Sequence, residues 1–239
     1  MVNDPNTASQ QHSSVTNTRR RFLGGAAGAL GVAGVGTAFT MPVAAGDDYE
    51  AEGGDEPPEG VDSEFDDDVD ILNFARTLEF LEARFYEEAL DNIDTDDLCD
   101  VEGIKHFDDE VVEYVYDEIE VIQEHEAIHA EVLGAVVEDL GGDPVDEPEF
   151  EFGDAVEDPT AFIETAAVLE DTGVAAYAGA ASQIEDADLV PPALSIHSVE
   201  GRHASFVRVV GGETGFPNAF DAPLSRAAVE DAIEPFLVD

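Results

Sequence analysis

Residues 125–129 read His-Glu-Ala-Ile-His and contain a Glu-x-x-His pair, Glu126 and His129. A second such pair, Glu200 and His203, lies 74 residues further along the chain. Residues i and i+3 share one face of a helix, so each pair can present a carboxylate and an imidazole side by side. Both pairs occur in segments of helical periodicity. They therefore predict two helices that supply oxygen and nitrogen ligands from one face.

Four segments after Asp67 place apolar residues at alternating steps of three and four, which is typical of helices packed in a left-handed bundle. The face that these residues define is here called the seam. Both Glu-x-x-His pairs lie on it, as do two lone glutamates, Glu79 and Glu170. By segment, the seam residues are Leu72, Ala75, Glu79, Glu82, Tyr86 and Ala89; Val112, Val115, Ile119, Ile122, Glu126, His129, Leu133, Val136 and Leu140; Ile163, Ala166, Glu170, Gly173, Tyr177 and Ala180; and Ala193, Ile196, Glu200, His203, Val207 and Val210.

Residues that favour helix ends agree with this interpretation. They are Asp66–Asp68, Asp108 or Asp109, Asp158-Pro159 and Pro191-Pro192 at the starts, Gly141-Gly142 and Gly211-Gly212 at the ends, and Ser225 before a short fifth helix with the sequence RAAVEDAIEPFL. The connection from Gly141 to Glu157 is long enough to run the length of the bundle, which would leave helices two and three parallel. The Leu-Glu and +7 Tyr of the first helix recur in the third, which indicates a repeated helix pair.

Four buried carboxylates in one place would repel each other and could not all stay ionised. The seam has no lysine or arginine to neutralise them, whereas two divalent cations would balance four negative charges. Oxygen and nitrogen ligands suit iron or manganese, and zinc also accepts them. Glu82 adds a fifth carboxylate to the seam. It is either an extra ligand or a side chain that extends to the surface.

This pattern resembles the ferritin-like superfamily and, within it, the exported ferritin-like domain family that includes desiccation-related proteins. The resemblance covers about residues 67–212. It implies an all-α, ferritin-like four-helix bundle with a di-metal site, whose ligands are Glu79, Glu126, His129, Glu170, Glu200 and His203. It further implies that Tyr86 and Tyr177 lie beside the metals as catalytic residues that can hydrogen-bond a ligand. The expected activity is Fe²⁺ oxidation by O₂ or peroxide, or peroxide removal; the alternative is a metal-stabilised structural or stress-protective protein without turnover.

Residues 125–129 also match the His-Glu-x-x-His motif of zinc proteases, in which both histidines bind metal. Against this interpretation, His125 lies about 100° around the helix from Glu126, off the seam. His106 and His197 are expected at the surface, and His12 lies in the leader region. Cys99 is the single cysteine, so a four-cysteine iron centre is excluded.

The N-terminus, residues 1–45, resembles a twin-arginine export signal: Arg19-Arg20-Arg21-Phe22-Leu23 precedes a glycine- and alanine-rich apolar run, with cleavage expected near Ala45. Residues 46–66 are predicted to be a disordered acidic linker and residues 213–239 a C-terminal extension. The protein is thus expected on the extracellular side, without a stable membrane anchor after cleavage. The alanine- and glycine-rich third helix allows either close packing inside the bundle or a homodimer contact.

The charge of the chain is extreme, with 57 acidic and 9 basic residues and a formal net charge of −48 at pH 7. Self-repulsion of this size is screened by salt. The composition resembles that of salt-adapted, haloarchaeal-type proteins. Nucleic acids and anionic lipids would meet like charge, so neither is an expected partner.

Overall fold

The structure is a computed structural model that describes Gly54 and residues 56–238. The leader and much of the acidic linker lie outside these residues. Five α-helices follow one another: α1 (Asp68–Asn92), α2 (Asp109–Asp139), α3 (Pro159–Ala180), α4 (Val190–Val210) and the short α5 (Arg226–Ile233). Two isolated β-bridges are the extended pairings in the described part of the chain. The all-α class predicted from the periodicity is confirmed.

Helices α1 to α4 form the bundle, in which α1 packs chiefly on α2 and α3 chiefly on α4. The predicted caps are present. The side chains of Asp67, Asp108 and Asp158 accept hydrogen bonds from the first-turn amides of α1, α2 and α3, and Ser225 does the same for α5. Of the helices within residues 56–238, none is long and apolar enough to cross a membrane.

The connection after α2 runs back along α1. Near its start, the Asn73 side chain bonds the Asp143 carbonyl and the Val145 amide at 3.1 and 2.8 Å. Near its end, the ring of Phe152 stacks edge-on against that of Phe85 with centroids 5.3 Å apart. The chain has then travelled from the first to the later turns of α1 before α3 begins. Helices α2 and α3 are therefore parallel, as the length of this connection predicts.

The residues of the predicted seam are buried along α1 and α3. At the end of α2 the prediction is wrong, because the buried residue there is not on the seam. Val137 is fully buried there, whereas Leu140 is 43% exposed and Val136 is half-buried. A straight α-helix has 3.6 residues per turn, so a seam drawn at a period of 3.5 drifts around it by about 20° per heptad. Over the 31 residues of α2 this drift moves the buried position from Val136 to Val137.

The C-terminal extension covers one side of the bundle with the buried side chains of Val229, Ile233 and Phe236. The fifth helix is shorter than predicted, because α5 ends at Ile233 and a 3₁₀ turn, Glu234–Phe236, follows. Pro235 lies in that turn and cannot donate the amide hydrogen bond that a continuing α-helix requires. Residues 56–66 contain no regular element, although the ring of Phe65 contacts that of Phe74.

Candidate metal centre

Four glutamates, one from each long helix, meet in the middle of the bundle. The side chains of Glu79, Glu126, Glu170 and Glu200 are all fully buried. His203 is 5% exposed, and the side chain of His129 is 12% exposed. The seam therefore brings together all six residues that the sequence singled out as metal ligands.

The six residues form two overlapping groups, each able to hold a metal ion. One group is Glu79, Glu126, His129 and Glu200. In the other, Glu170 and His203 replace Glu79 and His129, while Glu126 and Glu200 are retained. Within each group one ligand atom per residue lies within 4.8 Å of every other. Glu126 and Glu200 thus belong to both groups, whereas Glu79 and Glu170 each belong to one.

Both histidines turn Nδ1 towards the carboxylates. His129 Nδ1 lies 3.1 Å from Glu79 Oε2 and 3.2 Å from Glu126 Oε2. His203 Nδ1 lies 2.6 Å from Glu126 Oε1 and 3.5 Å from Glu170 Oε2. Among the described residues, the ion pairs of this cluster involve these two histidines and no lysine or arginine. The nitrogen and oxygen atoms therefore converge on a common interior space.

Two tyrosines hold the outer carboxylates in a reciprocal way. Tyr86 on α1 donates a hydrogen bond to Glu170 Oε1 on α3 at 2.6 Å. Tyr177 on α3 donates to Glu79 Oε1 on α1. Burial, followed by the adjacent glutamates, raises the pKa of both phenols well above the usual value, which keeps them protonated as donors. The repeated Glu and +7 Tyr thus give a two-fold arrangement, while catalysis by the tyrosines stays a prediction.

Several buried polar atoms of the cluster make no hydrogen bond of good geometry among the described residues, although most of them lie within 3.5 Å of an oppositely charged group: Glu126 Oε1, Glu170 Oε2, both Glu200 oxygens and His203 Nδ1. Buried polar groups are normally paired, and unpaired ones are costly. All five atoms belong to residues of the second group, Glu126, Glu170, Glu200 and His203. A cation bound among them would satisfy all of them, so the residues present fit a metal ion.

Without such a cation, protons have to balance the charge. Burial, then neighbouring carboxylates, raises the pKa of Glu79 well above 4.5 and raises that of Glu200. Burial also raises the pKa of Glu170, to about 8. Burial alone would lower the pKa of His129. Hydrogen bonds with Glu126, Glu200 and Glu79 have the larger combined effect and raise this pKa to about 12. In the metal-free site, these shifts favour protonated side chains at Glu79, Glu170 and Glu200 and a charged imidazole at His129.

Glu82 is buried in the same cluster, with 3% of its surface exposed. The alternative that its side chain extends to the surface is therefore wrong. Gly173 on α3, which occupies the equivalent position in the helix repeat, leaves space for the Glu82 side chain. A Cβ at Gly173 would lie 3.1 Å from Glu82 Oε1 and 3.4 Å from Glu200 Oε2. Glu82 belongs to neither of the two ligand groups, so its role as an extra ligand stays a prediction.

His125 is the site residue that the sequence did not reveal. It is absent from both ligand groups, and the expectation that it does not bind metal stays a prediction. Its Nδ1 instead lies 3.0 Å from His203 Nε2, and the two rings stack with centroids 5.3 Å apart. Burial, then the charge of His203, lowers the pKa of His125, which favours a neutral ring able to accept a hydrogen bond. The sequence holds no signal for this contact, because it depends on how α2 is rotated relative to α4.

The expected surface position is confirmed for His106, which is exposed, but is wrong for His197. His197 is half-buried, and its Nε2 has no hydrogen-bond partner in the described part of the chain. It lies one residue beyond the seam residue Ile196 on α4, on the border of the buried face. His197 also lies outside both ligand groups.

The fold and the site define a four-helix bundle with a buried cluster of glutamates and histidines that could hold metal ions. Residues 67–213 match the ferritin-like domain family, and the chain belongs to that family. This match confirms the superfamily suggested by the repeated glutamate and histidine spacing. The comparison with curated proteins finds no match.

Proposed function

We propose that this protein holds two iron or manganese ions between its four helices and oxidises Fe²⁺ with O₂ or peroxide. The observation that carries the proposal is the pair of overlapping ligand groups that share Glu126 and Glu200. Carboxylate and imidazole ligands suit Fe and Mn. Four carboxylates balance two divalent ions without any other charge.

The bound ions would supply the redox chemistry, because a metal centre can bind the oxidant and transfer electrons to it. With Fe²⁺ as substrate, oxidation of two ions would supply two electrons to O₂, which would take up two protons and leave as H₂O₂. With peroxide as oxidant, the same two electrons and two protons give two molecules of water. The protein's part is to hold the ions close together, to keep bulk water out of a buried site, and to orient Glu79 and Glu170 through the two tyrosines.

The proposal is tested by mixing the Fe²⁺-loaded protein, in high salt, with O₂ or with H₂O₂ and recording ferric absorbance and oxidant consumption. We expect oxidation well above that of free Fe²⁺. Glu200→Gln, which keeps the side-chain volume but removes a shared ligand, is expected to fall to the free-ion rate. Metal-loaded wild-type protein that consumes neither oxidant would favour the structural or stress-protective alternative.

The contact between His125 and His203 predicts that His125 affects the affinity for only one of the two ions. A metal-binding histidine usually donates its other ring N–H to an outer partner, and losing that partner costs about 10–100-fold in metal affinity. His125→Ala should therefore lower the affinity for the ion bound by His203 by roughly that factor. His125→Asn, which retains an acceptor, should largely preserve binding. Titration calorimetry with Mn²⁺ measures both steps.

The exposed His106 provides the control, since His106→Ala should leave both steps unchanged. Equal weakening of both ions by His125→Ala would contradict the assignment of His125 to His203 alone. Complete loss of both ions would instead mean that His125 is itself a ligand, as in the zinc-protease interpretation.

The proposal places the protein outside the cell, exported in folded form by the twin-arginine pathway and adapted to high salt. It is supported by the Arg19-Arg20-Arg21-Phe22-Leu23 stretch and by the net charge of −48. A homodimer remains part of the proposal. The small residues of α3 also have a use inside the chain, because Gly179 packs against the backbone of Leu224 with no room for a side chain.

A further inference from the structure

A cavity of about 50 Å³ lies inside the bundle between α1, α2, α3 and α4. Nearly all of its surface is apolar. Its inner wall includes Leu78, Leu133, Ala176, Tyr177 and Ile196, and at its rim Val132 and Pro192 are exposed to solvent. A water molecule needs only about 10–15 Å³ of such space, but apolar cavities stay dry and take up apolar guests such as xenon. The cavity is therefore suited to a small apolar molecule.

The cavity ends one side chain away from the metal ligands. Tyr177 lines the cavity, and the hydroxyl of the same residue donates a hydrogen bond to Glu79 Oε1. Near the other tyrosine the bundle is filled instead, because the rings of Phe85, Tyr86 and Phe162 pack together with centroids 5.4 to 5.8 Å apart. The apolar space thus approaches the site from the Tyr177 side.

We infer that this cavity binds O₂ and supplies it to the metal centre, so that O₂ and not peroxide is the preferred oxidant. This inference rests on the proposed oxidation of Fe²⁺. O₂ has no hydrogen-bond donors and loses nothing in an apolar space. H₂O₂ carries two O–H groups whose hydrogen bonds to water would be lost without replacement in an apolar space, which is costly. A hydrated Fe²⁺ ion is excluded more strongly still, so the cavity serves the oxidant.

The first test uses xenon as the probe, with crystals of the whole protein under xenon pressure. Xenon should occupy the cavity in wild-type protein and be lost from Ala180→Leu, since Ala180 lines the cavity and a leucine would fill it. Ala193→Leu fills the space from α4 and serves if the first variant does not fold. Ala167→Leu, on α3 but outside the cavity, is the matched control and should retain xenon.

The second test mixes Fe²⁺-loaded protein with O₂ or with H₂O₂. Filling the cavity should slow oxidation by O₂ about tenfold or more, as one added side chain in an apolar pocket can. Fe²⁺ affinity and the rate with H₂O₂ should not change, and Ala167→Leu should behave as wild type. Absence of xenon from the wild-type cavity, or equal rates before and after filling, would overturn the inference.

The two proposals fail in different ways. If the wild-type protein oxidises Fe²⁺ and filling the cavity slows both oxidants equally, the proposed function stands and O₂ supply through the cavity is wrong. If the wild-type protein oxidises Fe²⁺ with neither oxidant, the proposed function fails and the supply of O₂ fails with it, even where xenon binds.

Discussion

Metal-free and metal-loaded protein should melt well apart at pH 7 and close together near pH 4. An ion present at 100 times its dissociation constant adds about 2.7 kcal/mol to the free energy of unfolding. For a domain of this size that corresponds to a melting temperature roughly 5–10 °C higher. The pH dependence follows from the buried carboxylates, whose protons and metal ions compete for the same oxygen atoms.

In the metal-free protein, burial raises the pKa of Glu170 from 4.5 to about 8. A group whose pKa is raised by folding stabilises the fold fully below its unfolded pKa and loses that contribution as pH rises through the folded pKa. Glu170 therefore stabilises the metal-free fold below about pH 4.5 and ceases to do so towards pH 8. Glu79, Glu82 and Glu200 have raised pKa values too, and they act in the same direction.

The histidines reinforce this trend and Glu126 opposes it only in strong acid. Burial disfavours a charged His203, but hydrogen bonds with Glu126 and Glu170 raise its pKa to about 10, so its contribution is complete below about 6.5 and lost towards pH 10. Glu126 is also penalised by burial, yet hydrogen bonds with His129 and His203 lower its pKa to about 2. Its contribution is present above 4.5 and lost towards pH 2. Metal-free protein should thus gain stability between pH 8 and pH 5.

Metal binding requires the opposite protonation, with ionised carboxylates and neutral imidazoles. Acid therefore releases the ions and removes their stabilisation. Thermal melts of both forms between pH 4 and pH 8, in high salt, measure the gap directly. Parallel curves with no gap at pH 7 would mean that these glutamates do not share a metal site.

Loss of a shared glutamate should remove both ions, whereas loss of an outer glutamate should remove one. Glu126 and Glu200 belong to both ligand groups, while Glu79 and Glu170 each belong to one. We expect Glu200→Gln to bind neither ion at micromolar free metal and Glu170→Gln to retain one. Elemental analysis of the dialysed proteins gives the number of ions per chain.

We expect these variants to fold, because burial at Glu170 and Glu200 disfavours the charged carboxylate and raises its pKa, so a neutral glutamine suits both positions. Glu124→Gln changes the exposed residue two positions before Glu126 and should bind both ions. If Glu200→Gln and Glu170→Gln each lose one ion, Glu200 does not bridge, and the overlap of the two groups has no functional meaning.

The periodicity of the sequence is sufficient to predict the bundle and to bring the six candidate ligands together in its interior. A helical residue points in a direction fixed by its position in the helix, so spacing alone assigns Glu79, Glu126, Glu170 and Glu200 to one interior. The caps at Asp67, Asp108 and Asp158 follow from local chemistry, since a short side chain before a helix bonds its first free amides. Both kinds of prediction need only the sequence of one helix and the residues next to it.

Features that depend on how two helices meet are not predictable in this way. The contact between His125 and His203 requires the rotation of α2 relative to α4, which spacing within one helix does not contain. Glu82 is buried because Gly173 on the facing helix leaves it space, and the side chain alone would have allowed either position. The drift from Val136 to Val137 shows the same limit. A heptad pattern predicts which face of a helix is buried on average, but in a long helix the buried face at the end can differ by one residue.

The central claim, two metal ions held between four helices, is tested most directly by anomalous diffraction from crystals of metal-loaded protein, recorded on either side of the iron or manganese absorption edge. The account predicts two peaks in the bundle interior. One should be surrounded by Glu79, Glu126, His129 and Glu200 and the other by Glu126, Glu170, Glu200 and His203. No peak among these residues in correctly folded, metal-loaded protein would contradict it.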